Sequence, residues 1–309
     1  MPVKPPAEVE LTEDLVRALL AEQHPDLAEL PVRLVAQGWD NGVFRLGEDL
    51  AVRLPRRETA ARLVEHEQQW LAVLSSLSPV PVPAPVRVGI PSALFRWSWS
   101  VVPWFAGATA AAQPVADRTA WAGDLASVLA ALHVPAPADA PVNPVRGTPL
   151  TARAVALTER VDAGHLDAVL PDVPDLRDRA RRLWEDALAA PAWDGPALWL
   201  HGDPHPANLL VREGRLAALL DFGDVTSGDP ASDLATAWLT FDPVGRAVFR
   251  DRTDAAGEAT GGPCGRTDPG LWRRAAGWAL VIGSAMVTHG DDDPVIAPIG
   301  AHAIRDLLG

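Results

Sequence analysis

The sequence predicts an α+β protein in two parts, and three observations carry that prediction. Residues 31–54 read as three short strands joined by "GWDNG" and "GED". The stretch 57–77, "RETAARLVEHEQQWLAVLSSL", then switches to helical periodicity, with Leu63, Trp70, Leu71 and Leu74 on one face, before the strand candidate "WSWSVVPWF". Beyond residue 103 helical spacing dominates, interrupted once by a short strand and a hairpin. At 309 residues the chain exceeds the usual single-domain size, which agrees with two parts.

The elements follow in order. Thr12 is a plausible N-cap for a helix over 12–24, with acids in its first turn and Pro25 just beyond. Between the second helix and the next strand, "SPVPVPAPVRVGIP" has alternating prolines that forbid helix and favour an extended connector. Helices are expected at 116–133, 151–164 and 175–189, and "VPAPADAPVNP" as a loop. "ALWLHGD" is a short buried strand, and "NLLVREGRLAALLDF" a hairpin turning at Glu213 and Gly214. Further helices are expected at 231–240, 244–256, 270–288 and 295–308.

Composition limits the function classes. Hydrophobic residues make up 48% and charged residues 22%, the proportions of a folded globular chain. Cys264 is the one cysteine, so neither an intrachain disulfide nor a cysteine metal cluster can form, and a reducing cytoplasm fits best. "MPVKPPAEVELTEDL" has no signal-like apolar region, and no apolar run approaches 18 residues; neither export nor membrane insertion is expected. Net charge is −13, of which residues 1–102 carry −3 and the remainder −10. Such a field repels nucleic acid and attracts small cations, although solubility alone explains it equally well.

The chemistry concentrates in "LHGDPHPANLL", residues 200–210. A zinc site on His201 and His205 would need a helix, which Gly202, Pro204 and Pro206 oppose, and no glutamate completes an H-E-x-x-H pattern. A serine hydrolase would need G-x-S-x-G, which is absent. What remains is Asp203 and Asn208, five residues apart, with Asp221 in "LLDFGD" eighteen positions after Asp203. That spacing matches the kinase loop H-R-D-L-x-x-x-N and its later D-F-G aspartate. Phosphoryl transfer needs a carboxylate for the attacking hydroxyl's proton and oxygen ligands for Mg²⁺ on the nucleotide phosphates. Taken singly, each residue could instead form an Asx turn or a turn cap.

Here the sequence resembles the aminoglycoside phosphotransferase family of small-molecule kinases, which includes macrolide phosphotransferases. "HGDPHPANLLV" and "LLDFGDVTSGDPASDLA" carry the resemblance, supported by "GWDNGVFRL", "LAVRLPRR", "LVEHEQQWLAVL" and "WSVVPWFAG". It implies a protein-kinase-like bilobal fold, with a small mixed β-sheet N-lobe and a larger, mainly helical C-lobe. The implied domains are 1–103, binding nucleotide, and 104–309, holding catalytic and substrate-binding residues. Asp203 would be the catalytic base or hydroxyl-orienting carboxylate, and Asn208 and Asp221 would bind magnesium between the phosphates of ATP, with GTP also admissible. His201 and His205 would be structural, as would Asp229, shaping the turn into a helix, and Asp233, stabilising that helix's first turn.

Two departures from the kinase pattern matter. The third strand offers Arg53 where protein kinases have lysine; arginine binds phosphate bidentately and can pair with a helix glutamate, for which Glu67 fits better than Glu65. No G-x-G-x-x-G is present, but a turn with Gly38 and Gly42, and with Asn41 tolerating unusual dihedrals, can bring backbone amides over phosphates. The nucleotide base would use backbone groups at the hinge, such as those of Val102 and Trp104, because Pro103 lacks a donor.

The reaction expected is transfer of the γ-phosphate to a small-molecule hydroxyl by a monomeric enzyme, with an aminoglycoside-type antibiotic as acceptor and resistance by modification as the role. Asp162, Asp167, Asp172, Asp175, Asp291, Asp292 and Asp293 are the candidate ligands for a cationic substrate. A macrolide 2'-phosphotransferase, a metabolic kinase of the choline, homoserine or sugar type, and a silent nucleotide-binding module are the alternatives.

Overall fold

A computed structural model describes residues 6–260, 268–290 and 293–309. The chain forms two compact units: Val3–Ala106 with Leu220–Gly223, and Gly107–Leu219 with Asp224–Gly309. Among the described residues no helix is long and apolar enough to cross a membrane.

The first unit begins with α1, Glu13–Gln23, whose first turn is closed by the Thr12 hydroxyl accepting the Leu15 amide at 3.1 Å. Strands β1 (Val32–Gln37), β2 (Asn41–Leu46) and β3 (Leu50–Pro55) form the expected meander. After α2 (Glu58–Leu77) come β4 (Arg87–Gly89) and β5 (Trp99–Pro103), giving one sheet in the order β1-β2-β3-β5-β4, antiparallel at every pairing. The connector expected to be merely extended contributes β4, because its proline alternation ends at Pro85 and residues 86–89 again have amides to donate; Val86 donates to Val101 at 2.8 Å.

Strand periodicity decides what β3 presents to each side. Val52 and Leu54 join Val16, Leu19 and Leu20 of α1 in one apolar cluster with Phe44, Leu46 and Trp99. Arg53, between them in sequence, must point to the opposite face. There it meets α2, which buries Ala60, Val64, Glu67, Leu71 and Leu74 at spacings of three and four. Glu67 is thus an acid in the middle of an apolar stripe.

The second unit opens with the two-residue strand β6, Ala108–Thr109. The helix expected over 116–133 begins as a 3-10 helix, Val115–Trp121, and becomes α3 at Ala122–Leu132. A 3-10 turn at Leu150–Arg153 likewise leads into α4, Ala154–Asp162, and α5 spans Leu176–Leu188. Strand β7, Leu198–Leu200, is buried throughout, and β8 (Leu209–Arg212) and β9 (Arg215–Leu219) are the predicted hairpin. Its turn places Glu213 at φ 53° and Gly214 at φ 74°, the double positive φ of a type I′ hairpin. Strand β10, Thr226–Gly228, which the sequence did not signal, pairs antiparallel with β7.

The remaining helices are α6 (Ala231–Leu234), α7 (Thr236–Thr240), α8 (Pro243–Thr260), α9 (Leu271–His289) and α10 (Ile296–Leu308). The single helix expected over 231–240 is therefore two, divided at Ala235. Helix α9 is the core of this unit: it packs against α4, α5, α6, α7 and α10, and buries twelve of its residues, the charged Arg274 among them.

Candidate functional site

In the first unit, Arg53 organises the charged residues. Its Nη1 donates to Glu67 Oε1 at 2.8 Å and its Nη2 to Asp221 Oδ1 at 3.1 Å, so the guanidinium fork serves two carboxylates. Glu67, not Glu65, is the helix partner, as the sequence pattern predicts. Side-chain exposure is 9% for Arg53 and 4% for Glu67, against 53% for Asp221. Burial alone would lower the Arg53 pKa, but the charges of Glu67 and Asp221 more than reverse this and raise it. Burial pushes Glu67 upward despite its partner. Asp221 has φ 54°, a left-handed conformation that holds its carboxylate on Arg53 while Gly223 donates to the same oxygen at 3.4 Å. Asp221 Oδ2 carries no hydrogen bond among the described residues, so it is open as a ligand oxygen.

The turn before β2 differs from expectation. Neither Gly38, Asn41 nor Gly42 has positive φ. Instead the Gly38 amide is spent on Asn41 O at 2.8 Å, and Arg56 and Arg57 clamp the turn by bonds to Gly38 O and the Asp40 carboxylate. Gly42 gives room to packing: a β-carbon there would lie 2.6 Å from Leu11 Cδ1, and the Leu11 side chain would have to shift. At the end of β5, Val102 pairs with Ala51, and just beyond it Trp104 donates its amide to Asp49 O at 2.7 Å beneath the Arg45 guanidinium. The Trp104 amide is therefore not the donor that would replace the one Pro103 lacks.

In the second unit, the loop 201–208 is held from several directions. Gly202, at φ 91°, brings the chain so close to Asp224 that only glycine fits: a β-carbon would lie 2.0 Å from Asp224 O. Asp233, fully buried in α6, accepts the amides of His201 and Gly202 at 2.8 and 2.9 Å, and its Oδ2 meets His133 Nε2 at 3.1 Å. The local sequence pattern makes Asp233 a first-turn stabiliser of its helix; its carboxylate instead anchors this loop. Asp229 does accept the Ala231 amide at 3.0 Å, but it also forms a buried pair with Arg274 at 2.7 Å.

Asp203 is surrounded by donors. Arg146 Nη2 lies 3.0 Å from its Oδ1 and His205 Nε2 lies 3.2 Å from its Oδ2. His205 Nδ1 accepts the Ala207 amide, which assigns the proton to Nε2 and directs it at Asp203. Burial would raise the Asp203 pKa, but His205 and the Arg146 guanidinium overcome it and hold the carboxyl well below the usual range. Asn208 Nδ2 donates to Asp203 O at 3.0 Å, which leaves its Oδ1 without a hydrogen bond among the described residues. The open amide oxygen of Asn208 in the second unit and the open carboxylate oxygen of Asp221 in the first are each a hard donor of the kind Mg²⁺ prefers.

Arg146 is a site residue that sequence pattern does not reveal. It lies in the proline-rich loop "NPVRG" with no helical or strand period to flag it. The signal was the polar density of that loop, whose neighbours of Arg146 are tied down: Asn143 donates to Thr226 Oγ1 and Asp224 Oδ1, Gly147 donates to Ser232 Oγ, and Gly147 O accepts from Asp229.

The acids expected to meet a cation are largely engaged. Asp162 pairs with Arg181 and Asp167 with Arg177, each at 2.8 Å. Asp175, at φ 56°, stands at the start of α5 and, with Asp167, lines a surface cleft of 430 Å³ that also contains Arg177 and Arg181. Asp172 is exposed, and Asp293 caps the approach to α10 through bonds from Val295 and Ile296. Asp291 and Asp292 lie outside the described residues.

This constellation is matched over residues 31–278 by the model of the phosphotransferase enzyme family. The chain belongs to that family. It is a phosphotransferase with an alcohol group as acceptor. Solved structures of similar fold include the GDP and kanamycin complex of APH(2")-IIia, with a TM-score of 0.67 and 19% identity, covering 94% of this chain and 97% of that one. The apoenzyme of macrolide 2'-phosphotransferase MphH from Brachybacterium faecium has a TM-score of 0.63 and 24% identity over 94% and 98% of the two chains. The streptomycin-ATP-APH(2")-IIa ternary complex has a TM-score of 0.57 and 16% identity over 94% and 95%. No curated protein sequence matches significantly. At these identities the structures establish a shared kinase-like α+β fold for the phosphotransferase.

Proposed function

We propose that this phosphotransferase moves the γ-phosphoryl group of ATP to a small-molecule hydroxyl in a magnesium-dependent reaction. In this reading residues 1–103 bind the nucleotide and residues 104–309 supply the catalytic loop and acceptor site. The observation that carries it is the division of labour within loop 201–208: Asp203 is held ionised by His205 and Arg146, while Asn208 donates through Nδ2 to Asp203 O and leaves its own oxygen open. Arg53, fixed by Glu67, is the phosphate-binding cation, and Asp221 and Asn208 are the oxygen ligands for Mg²⁺. Bound magnesium would neutralise charge on the phosphates.

A carboxyl with so low a pKa is a weak base toward an intact alcohol. Asp203 therefore orients the attacking hydroxyl first. Its proton becomes acidic as the oxygen–phosphorus bond forms and the bond to the nucleotide's leaving oxygen breaks, and it passes to the carboxylate late in that step.

The similar structures include complexes with ATP and with GDP, which supports a purine nucleotide as donor. Complexes with kanamycin and streptomycin, together with the acidic net charge, support an aminoglycoside-type acceptor, and the likeness to MphH supports a macrolide. The ion pairs of Asp162 and Asp167 weigh against the first, because a polycation would have to displace two arginines.

Phosphate-transfer assays over aminoglycosides, macrolides and small alcohols, run on the wild type and on Asp203→Ala, test the reading. Turnover should fall by orders of magnitude in the variant while Mg·ATP affinity is kept. Unchanged turnover would remove Asp203 from the mechanism.

A further inference from the structure

Positive charge does not end at Arg146. Arg153 closes the 3-10 turn Leu150–Arg153, and Arg160 follows seven residues later on α4, two turns along the same face. Neither has an ion-pair partner among the described residues, whereas Arg177, Arg181, Arg246, Arg273 and Arg274 of the same unit are each paired with an aspartate. Arg153 Nε is buried without a hydrogen-bond partner, as is Arg146 Nε. Arg160 makes one long bond, 3.4 Å, to Val281 O.

Arg153 follows Arg146 by seven residues and precedes Arg160 by seven, and their positive charges act on one another. Burial first, and then the charge of Arg146, lowers the Arg153 pKa; burial, Arg153 and Arg146 together lower that of Arg160, with Glu159 as the acid opposing them. The carboxylates beside Arg146 are Asp203 and Asp224, so its own charge is already matched. A region carrying −10 thus concentrates unmatched arginines next to its catalytic loop. Half-buried like charges without counter-ions are destabilising, and an anion would relieve them.

We propose that Arg153 and Arg160 form a subsite for an oxyanion, a carboxylate or a phosphate ester, carried by the acceptor whose hydroxyl is presented to Asp203. The assignment rests on the reading of Asp203 as the hydroxyl-handling residue and names the acceptor class for it. Planar guanidinium forks match both kinds of oxyanion bidentately. Arg146, flanked by the bonds of Asn143 and Gly147 and itself bonded to Asp203 at 3.0 Å, is a positioning residue: it sets the rotamer and charge of the catalytic carboxylate. The same row of cations repels an ammonium-rich acceptor.

The test uses the full chain as wild type, Arg153→Gln, Arg153→Lys and Arg160→Gln, with calorimetric binding and Mg·ATP-dependent phosphorylation of four probes. D-Glycerate carries a carboxylate, glycerol 3-phosphate a phosphate ester, glycerol neither, and kanamycin only positive charge. The wild type should bind one or both anions at least about ten-fold more tightly than glycerol and kanamycin, the strength of one charged contact. The two anions report which oxyanion the subsite takes. Arg153→Gln and Arg160→Gln should each cost about ten-fold in anion affinity and leave glycerol and Mg·ATP binding unchanged, and Arg153→Lys should keep most of the affinity that Arg153→Gln loses. The Arg153 side chain has no hydrogen bond among the described residues, so its variant stays interpretable if Arg160→Gln melts early. Equal or tighter binding of glycerol or kanamycin, or unchanged anion affinity in Arg153→Gln, overturns the subsite. Failure of the wild type to bind Mg·ATP would instead overturn the kinase reading beneath it.

Discussion

The Asp233 carboxylate accepts the Gly202 amide at 2.9 Å, and with its second oxygen takes the His201 amide and meets His133 Nε2. One fully buried side chain on α6 therefore holds α3 and the chain leading into Asp203 together. Asp233→Ala would take the carboxylate acceptor from two buried amides and remove one partner of His133, at a cost of about 3 to 5 kcal/mol. Turnover should fall with stability, because Asp203 lies one residue beyond Gly202. Thermal denaturation checks this: a melting temperature equal to the wild type's would show that the network is dispensable.

Gly202 has a second constraint. Its φ is 91°, and a β-carbon added to it would sit 2.0 Å from Asp224 O, so both the backbone conformation and the space oppose any side chain. Gly202→Ala should lose more than about 1 kcal/mol, the strain of positive φ being joined by overlap with a backbone atom that cannot rotate away. Denaturant titration measures the loss. Stability within error of the wild type would mean that the loop can shift at no cost.

His302 on α10 has Nε2 3.0 Å from Phe241 O, and burial lowers its pKa below the ordinary 6.5, helped by the charges of Arg118, Arg246 and Arg305 against the bond to Phe241. The folded state therefore binds fewer protons there than the unfolded state just below pH 6.5. Its contribution to stability is complete above that pH and declines as pH falls through the lowered folded value. His302→Gln should flatten this part of the stability profile, measured by urea midpoints between pH 7.5 and pH 5 on the scale of about one histidine's titration. An identical slope in both proteins would assign the acid sensitivity elsewhere.

How much of this was legible in the sequence depends on the range of the interaction. Elements with a clear period or cap were readable: the Thr12 cap, the stripe on α2, and the type I′ hairpin at Glu213 and Gly214. The Arg53–Glu67 pair was also readable, because a single acid within an apolar helical stripe needs a cation on the facing strand. Strand β10 was not, since three residues after a turn have no measurable alternation. The anchoring role of Asp233 and the contact between Arg146 and Asp203 span 31 to 57 residues through loops, where local pattern carries no information about partners. The turn at Gly38 and Gly42 defeats a local argument for a related reason: what lies closest to Gly42 is the Leu11 side chain ahead of α1, which no dihedral preference reveals.

Arg53 yields the prediction that separates stability from nucleotide binding. Removing it alone, as Arg53→Met, strands Glu67, whose pKa burial already raises, and should cost about 3 to 5 kcal/mol. The double variant Arg53→Met with Glu67→Leu replaces the pair by apolar groups and should recover most of that loss, giving a large coupling energy in the double-mutant cycle. Asp221 is half exposed and is not stranded in the same way, so Asp221→Ala should change stability little. Nucleotide binding should follow a different pattern: Mg·ATP affinity should fall in Asp221→Ala and in the stable double variant alike, because each lacks a group assigned to the phosphates or their metal. Calorimetry in the presence and absence of Mg²⁺ reads the difference. If the double variant is stable and binds Mg·ATP as the wild type does, the Arg53–Glu67 pair is a packing feature of α2 and β3, and the phosphates are held by other groups.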